Sequence, residues 1–70
     1  MTKKTKASVE RNYRITIIFK DEILVERFET EYVAKKTITQ FKELFPNQFI
    51  GGALEEKHKK WNVIWALGNK

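Results

Sequence analysis

The sequence predicts an α+β domain in the order strand, strand, helix, strand, strand: an antiparallel four-stranded sheet with one amphipathic helix on one face. Three observations lead there. Apolar residues alternate with their neighbours over 13–20 and again over 61–67, the period of a strand. Between those stretches, one segment carries apolar residues at helical spacing. The chain has 70 residues, 41% of them hydrophobic and 13% aromatic, which suits one small core and exceeds what disordered chains carry.

Residues 1–11 are polar and lysine-rich without periodicity and read as a flexible basic tail, leaving 12–70 as the folded unit. In the first strand Tyr13, Ile15, Ile17 and Phe19 alternate with Arg14, Thr16, Ile18 and Lys20. Asp21 and Glu22 interrupt the pattern, and Leu24, Val25 and Phe28 resume it, as in a hairpin. The turn holds no glycine or asparagine to fix its register. A two-residue loop pairs Phe19 with Leu24 and Ile15 with Phe28; a three-residue loop pairs Phe19 with Ile23 and Ile17 with Val25. Either register leaves apolar groups, Ile18 among them, on the second face.

Thr30 is suited to cap the next element, and Glu31 to its first turn against the helix dipole. Ala34, Ile38, Phe41 and Phe45 form its apolar stripe, with Lys35, Lys36, Thr39, Lys42 and Glu43 on the other side. Pro46 disfavours helical geometry at Phe45 and ends the helix. Residues 53–60 have two readings. Good helix formers and the Glu55–Lys59 and Glu56–Lys60 pairs favour a short helix. The strong alternation of Trp61, Val63, Trp65 and Leu67 favours a hairpin, turning at His58 and Lys59 with Gly52 opposite Trp65. The hairpin completes the sheet and is the preferred reading.

A chain this short buries only about 60% of its unfolded surface and needs reinforcement. It has no cysteine, which excludes disulfides and thiolate zinc sites, and its single histidine argues against a metal centre. No cofactor is expected. One helix covers one sheet face, so the other is expected to meet a second copy or a partner protein, with Ile18, Phe49 and Ile64 as its apolar contacts. No apolar run reaches the roughly 18 residues of a membrane span, and no hydrophobic region follows the first lysines, so a cytoplasmic protein is expected.

The net charge of +5 is concentrated at the two ends. Lys3, Lys4, Lys6, Arg11 and Arg14 face only Glu10 in residues 1–14, and Lys57, Lys59, Lys60 and Lys70 face no acid in 57–70. The middle is net acidic. Such asymmetry suggests an acidic partner, with nucleic acid, DNA or RNA, as the leading expectation. Lys57, His58, Lys59 and Lys60 at a hairpin tip are placed to meet successive phosphates, and Trp61, His58 or Tyr13 to stack on a base. The tail lysines with Arg11 and Arg14 add backbone contacts. The same lysines also suit a solvated turn that discourages strand aggregation.

No residues are assigned a catalytic role. His58 lacks a recognisable nucleophile and orienting partner, and Gly51–Gly52 lacks the pattern of a phosphate-cradling loop. The expected function is a small, basic, non-enzymatic protein that binds nucleic acid through its backbone with low sequence specificity. The alternative is a protein-interaction module, such as an inhibitor or regulator of a host enzyme or complex of the kind mobile elements encode. A homodimer is compatible with both.

Overall fold

A computed structural model describes residues 11–68, and they form a four-stranded antiparallel sheet with one helix across it. The elements are β1 (Tyr13–Phe19), β2 (Ile23–Phe28), α1 (Glu31–Leu44), β3 (Phe49–His58) and β4 (Lys60–Gly68). The strand order is β2-β1-β3-β4, so β1 and β3 are the central pair and the helix connects the β2 edge to β3. Residues 53–60 are strand and turn, as the hairpin reading expects. No helix among the described residues is long and apolar enough to cross a membrane.

Both hairpin registers differ from those read in the sequence. In the first, Ile18 pairs with Ile23, Ile17 with Leu24 and Tyr13 with Phe28. The loop is thus longer than either expected form, closed by the Phe19 N–H donating to the Glu22 carbonyl at 2.8 Å. Phe19 stands at the turn, outside the β2 ladder, and on its other side pairs with Phe49. In the second hairpin Leu54 lies opposite Trp65 and Gly52 opposite Leu67, not opposite Trp65. The turn centres on Lys59, and a bulge between Leu54 and Glu55 leaves Ile64 without a direct partner.

Helix α1 begins where Thr30 adopts extended backbone and its hydroxyl accepts from the Val33 N–H at 3.3 Å. It ends at Phe45, whose N–H donates to the Phe41 carbonyl, one residue before Pro46. Glu31 and Lys35 pair at 2.9 Å one turn apart, the favourable orientation for the helix dipole. Ala34 and Ile38 are fully buried and pack with Ile15, Ile17, Phe49 and Leu54, which are also fully buried. Burial of each large member contributes about 1.5–3 kcal/mol.

Two corrections concern aromatic residues. Phe49, expected on the uncovered face, is 0% exposed. The irregularity between Ile18 and Phe19 turns it toward the helix and sends Ile50 outward. Phe45, expected in the core, is 45% exposed. It lies just past the helix end, against Phe41 and Phe19 at centroid distances of 6.0 and 6.3 Å.

Gly52 explains how closely the helix approaches. A Cβ built on it falls 2.7 Å from Ile38 Cγ2, a distance no real contact tolerates. The glycine is a seat for the helix, not room for an indole. Gly52→Ala should therefore destabilise the fold by about 1–3 kcal/mol through overpacking. Urea denaturation in a double-mutant cycle checks the cause: the same substitution in an Ile38→Ala background should lose most of its penalty. Equal penalties in both backgrounds would place the cost elsewhere.

Candidate nucleic-acid interface

The helix covers the sheet face that carries Tyr13, Ile15, Ile17, Leu24, Gly52, Leu54, Trp65 and Leu67. Strand alternation and register put the intervening residues on the opposite face, which no element among the described residues covers. This open face is divided along its length. At one end Arg27, Arg14, Glu55 and Val63 form one row across the sheet, and Lys57 and Trp61 pair in the next. At the other end are Val25, Thr16, Ala53 and Ala66, then Ile23, Ile18, Gly51 and Gly68.

Trp61 is the centre of the basic end. The Arg14 guanidinium lies over its ring at 4.3 Å, Arg27 at 5.3 Å and the Lys57 ammonium at 5.9 Å. Three cations gather on one indole because they sit on three different strands of one face, and the ring's negative π-face offsets their mutual repulsion. Arg14 is further held by Glu55 Oε1 at 2.8 Å. That hydrogen bond raises the Arg14 pKa, and the charge is fixed. Among the described residues, Arg27, Lys57, Lys59 and Lys60 come within ion-pair distance of no carboxylate. Arg27 also lines a groove of about 310 Å³ with Arg11, Phe28, Glu29, Thr30 and Val33, so the cationic surface continues round the β2 edge.

The tip of the β3–β4 hairpin projects beyond this cluster. Lys57, His58, Lys59 and Lys60 are all exposed. Lys59 has φ 66°, the left-handed region that glycine or asparagine normally occupies. His58 Nε2 lies 3.2 Å from Glu56 Oε1. No group of three or more histidine, cysteine, aspartate or glutamate side chains suited to a metal ion occurs among the described residues.

The expected site residues are thus only partly brought together. Arg14, Trp61 and Lys57 meet on the open face, with Lys59, Lys60 and His58 beyond them. Tyr13 does not join them: it is on the helix-covered face, where its hydroxyl donates to Glu56 Oε2 at 3.3 Å. Arg11 is exposed beside Arg27, and Lys3, Lys4 and Lys6 lie outside the described residues. Ile18 and Ile64 are 43% and 42% exposed. Arg27 and Glu55 were not singled out as the sheet's partners of Arg14. Their signal is the register: only when Arg14 is set opposite Arg27 do two arginines share one rung.

No protein-family model matches this chain, and no curated protein or solved structure is detectably similar to it.

The Tyr13–Glu56 contact makes a testable statement about this end of the sheet. The nearby carboxylate, more than partial burial, raises the Tyr13 pKa above the ordinary value. A raised folded-state pKa means the phenol's contribution to stability is complete below the unfolded value of about 10 and is lost as pH rises through the folded one. Glu56→Gln should bring Tyr13 ionisation back toward lower pH in an ultraviolet absorbance titration. An unchanged titration would remove Glu56 as the cause.

Proposed function

We propose that this protein binds single-stranded nucleic acid at the basic end of its open sheet face, through the phosphate backbone and with little sequence preference. The observation that carries the reading is Trp61 with Arg14, Arg27 and Lys57 within 6 Å of its ring, next to a tip of exposed lysines. A flat sheet surface with an aromatic ring and flanking cations suits an unpaired strand: the cations meet phosphates while a base stacks on the indole or on a guanidinium plane. It is ill suited to duplex reading, because the only helix among the described residues is committed to the core along one side, and its exposed side offers a single amide, Gln40, beside Lys36 and the acidic Glu43.

The geometry at Lys59 supports the same reading. A side chain in the left-handed region costs roughly 1–2 kcal/mol relative to right-handed backbone, and glycine avoids that cost. A lysine kept there adds a cation at the point of the hairpin farthest from the core.

A second reading, docking of a partner protein, draws on the apolar half of the face, where Ile18, Ile23 and Val25 are exposed. Charge reversal separates the two. Under the leading reading Lys59→Glu with Lys60→Glu abolishes binding to a single-stranded oligonucleotide, whereas a partner seated on the apolar half is retained.

Fluorescence anisotropy with labelled single-stranded oligonucleotides of different sequence is the direct assay. Trp61→Ala should weaken binding by about 1–3 kcal/mol for every sequence. Affinity should also fall steeply between low and moderate salt, with log K linear in log salt and a slope of about −0.7 per phosphate contacted. Lys59→Gly gives a paired result: thermal stability unchanged or raised by up to about 1 kcal/mol, with weaker oligonucleotide binding. Binding that ignores salt, or that survives loss of Trp61 and both tip lysines, contradicts the reading.

A further inference from the structure

We infer that the apolar half of the open face is the seat of a second copy of this chain, related by a twofold axis that runs parallel to the strands above the β1–β3 seam. The relief of the face argues for it. On β1 and β2, Ile18, Ile23 and Val25 stand exposed at 43%, 65% and 53%, a ridge two strands wide. Directly beside them on β3 and β4, Gly51, Gly68, Ala53 and Ala66 form a trough of the same width. Each ridge residue on β1 has its trough neighbour on the same rung: Ile18 with Gly51 and Thr16 with Ala53.

The glycines in the trough are not explained by the monomer. Glycine weakens a strand interior and there often marks close approach of another backbone. Neither position has positive φ. A Cβ on Gly51 would meet nothing nearer than the Leu67 carbonyl at 3.6 Å, and one on Gly68 nothing within 4 Å. Gly52, one residue away, is required by Ile38 in the core; among the described residues nothing requires Gly51 or Gly68 to be glycine.

A ridge beside a trough of equal width is self-complementary. The proposed axis lays β1 over the partner's β3 and β2 over the partner's β4, so the ridge of each copy enters the trough of the other, as an isologous interface demands. Sheets packed face to face stand about 10 Å apart, a gap that branched side chains fill from one side when the other presents only glycine and alanine. A twofold axis across the strands instead sets ridge on ridge.

One charged pair agrees with this choice, although the same axis brings Arg27 and Lys57 of both copies to one end. Arg14 and Glu55 lie on the same rung, on either side of the seam, so the axis that fits the relief also places each Arg14 over a Glu55 of the second copy. The hairpin tips, Lys57 to Lys60, then lie at the same end of the pair.

Sedimentation equilibrium on the full chain, freed of nucleic acid, tests the inference independently of any binding at the basic end. The wild type should approach twice 8.3 kDa as concentration rises. Gly51→Val fills the trough and Ile18→Ser lowers the ridge; each should weaken association at least tenfold with the circular dichroism spectrum unchanged. Ile18→Ala in the Gly51→Val background should recover part of the loss, because the shortened ridge residue faces the added methyls. A wild type that stays at 8.3 kDa up to about 1 mM overturns the inference. So does a dimer indifferent to both substitutions, which would place the contact elsewhere, such as the free β4 edge.

Discussion

The approach of Ile38 to Gly52 fixes the molecule's division of labour. It brings α1 down onto the central strands, and there Ile15, Ile17, Phe49 and Leu54 close around Ala34 and Ile38 without solvent. Every large side chain that is fully buried belongs to this one layer. The other face of the sheet receives no element among the described residues. With α1 committed to one side, the exposed face must be tolerated by water or used by something else.

That face is not uniform, and its two halves ask for different occupants. At the end near the hairpin tip, cations on three strands converge on Trp61, and among the described residues their one neutralising contact is Arg14 with Glu55. At the other end the described rows, Val25, Thr16, Ala53 and Ala66 and then Ile23, Ile18, Gly51 and Gly68, carry no charge. The first arrangement is attractive to a polyanion and the second to an apolar surface of matching relief. The axis that seats a second copy on the apolar half also lays it over the Arg14 row, so the second copy and a bound strand compete for the basic end of this face.

Much of the fold was legible in the sequence because it rests on local rules. Period-two alternation located β1 and β4, helical spacing from Ala34 to Phe41 located α1, and Thr30 and Pro46 marked its ends. Register was not legible, since neither turn carries the residues that dictate a loop length. That one uncertainty propagated: with Gly52 set opposite Trp65, its real task against Ile38 was hidden, and Phe49 was assigned to the wrong face because a bulge is invisible to simple alternation. The candidate site fared similarly. The cationic tip and Trp61 follow directly from residue order, and Arg27 is legible as a strand cation, whereas strand parity separates Tyr13 from them and only the observed pairing sets Arg27 beside Arg14 over Trp61.

Amide chemical-shift mapping tests the central claim, that the sheet face opposite α1 is the working surface. On titration with a single-stranded oligonucleotide, amides of Arg14, Arg27 and Lys57–Trp61 should move, while those facing solvent on α1 stay in place. Shifts concentrated on the outer side of α1, or none at any ratio, would contradict it.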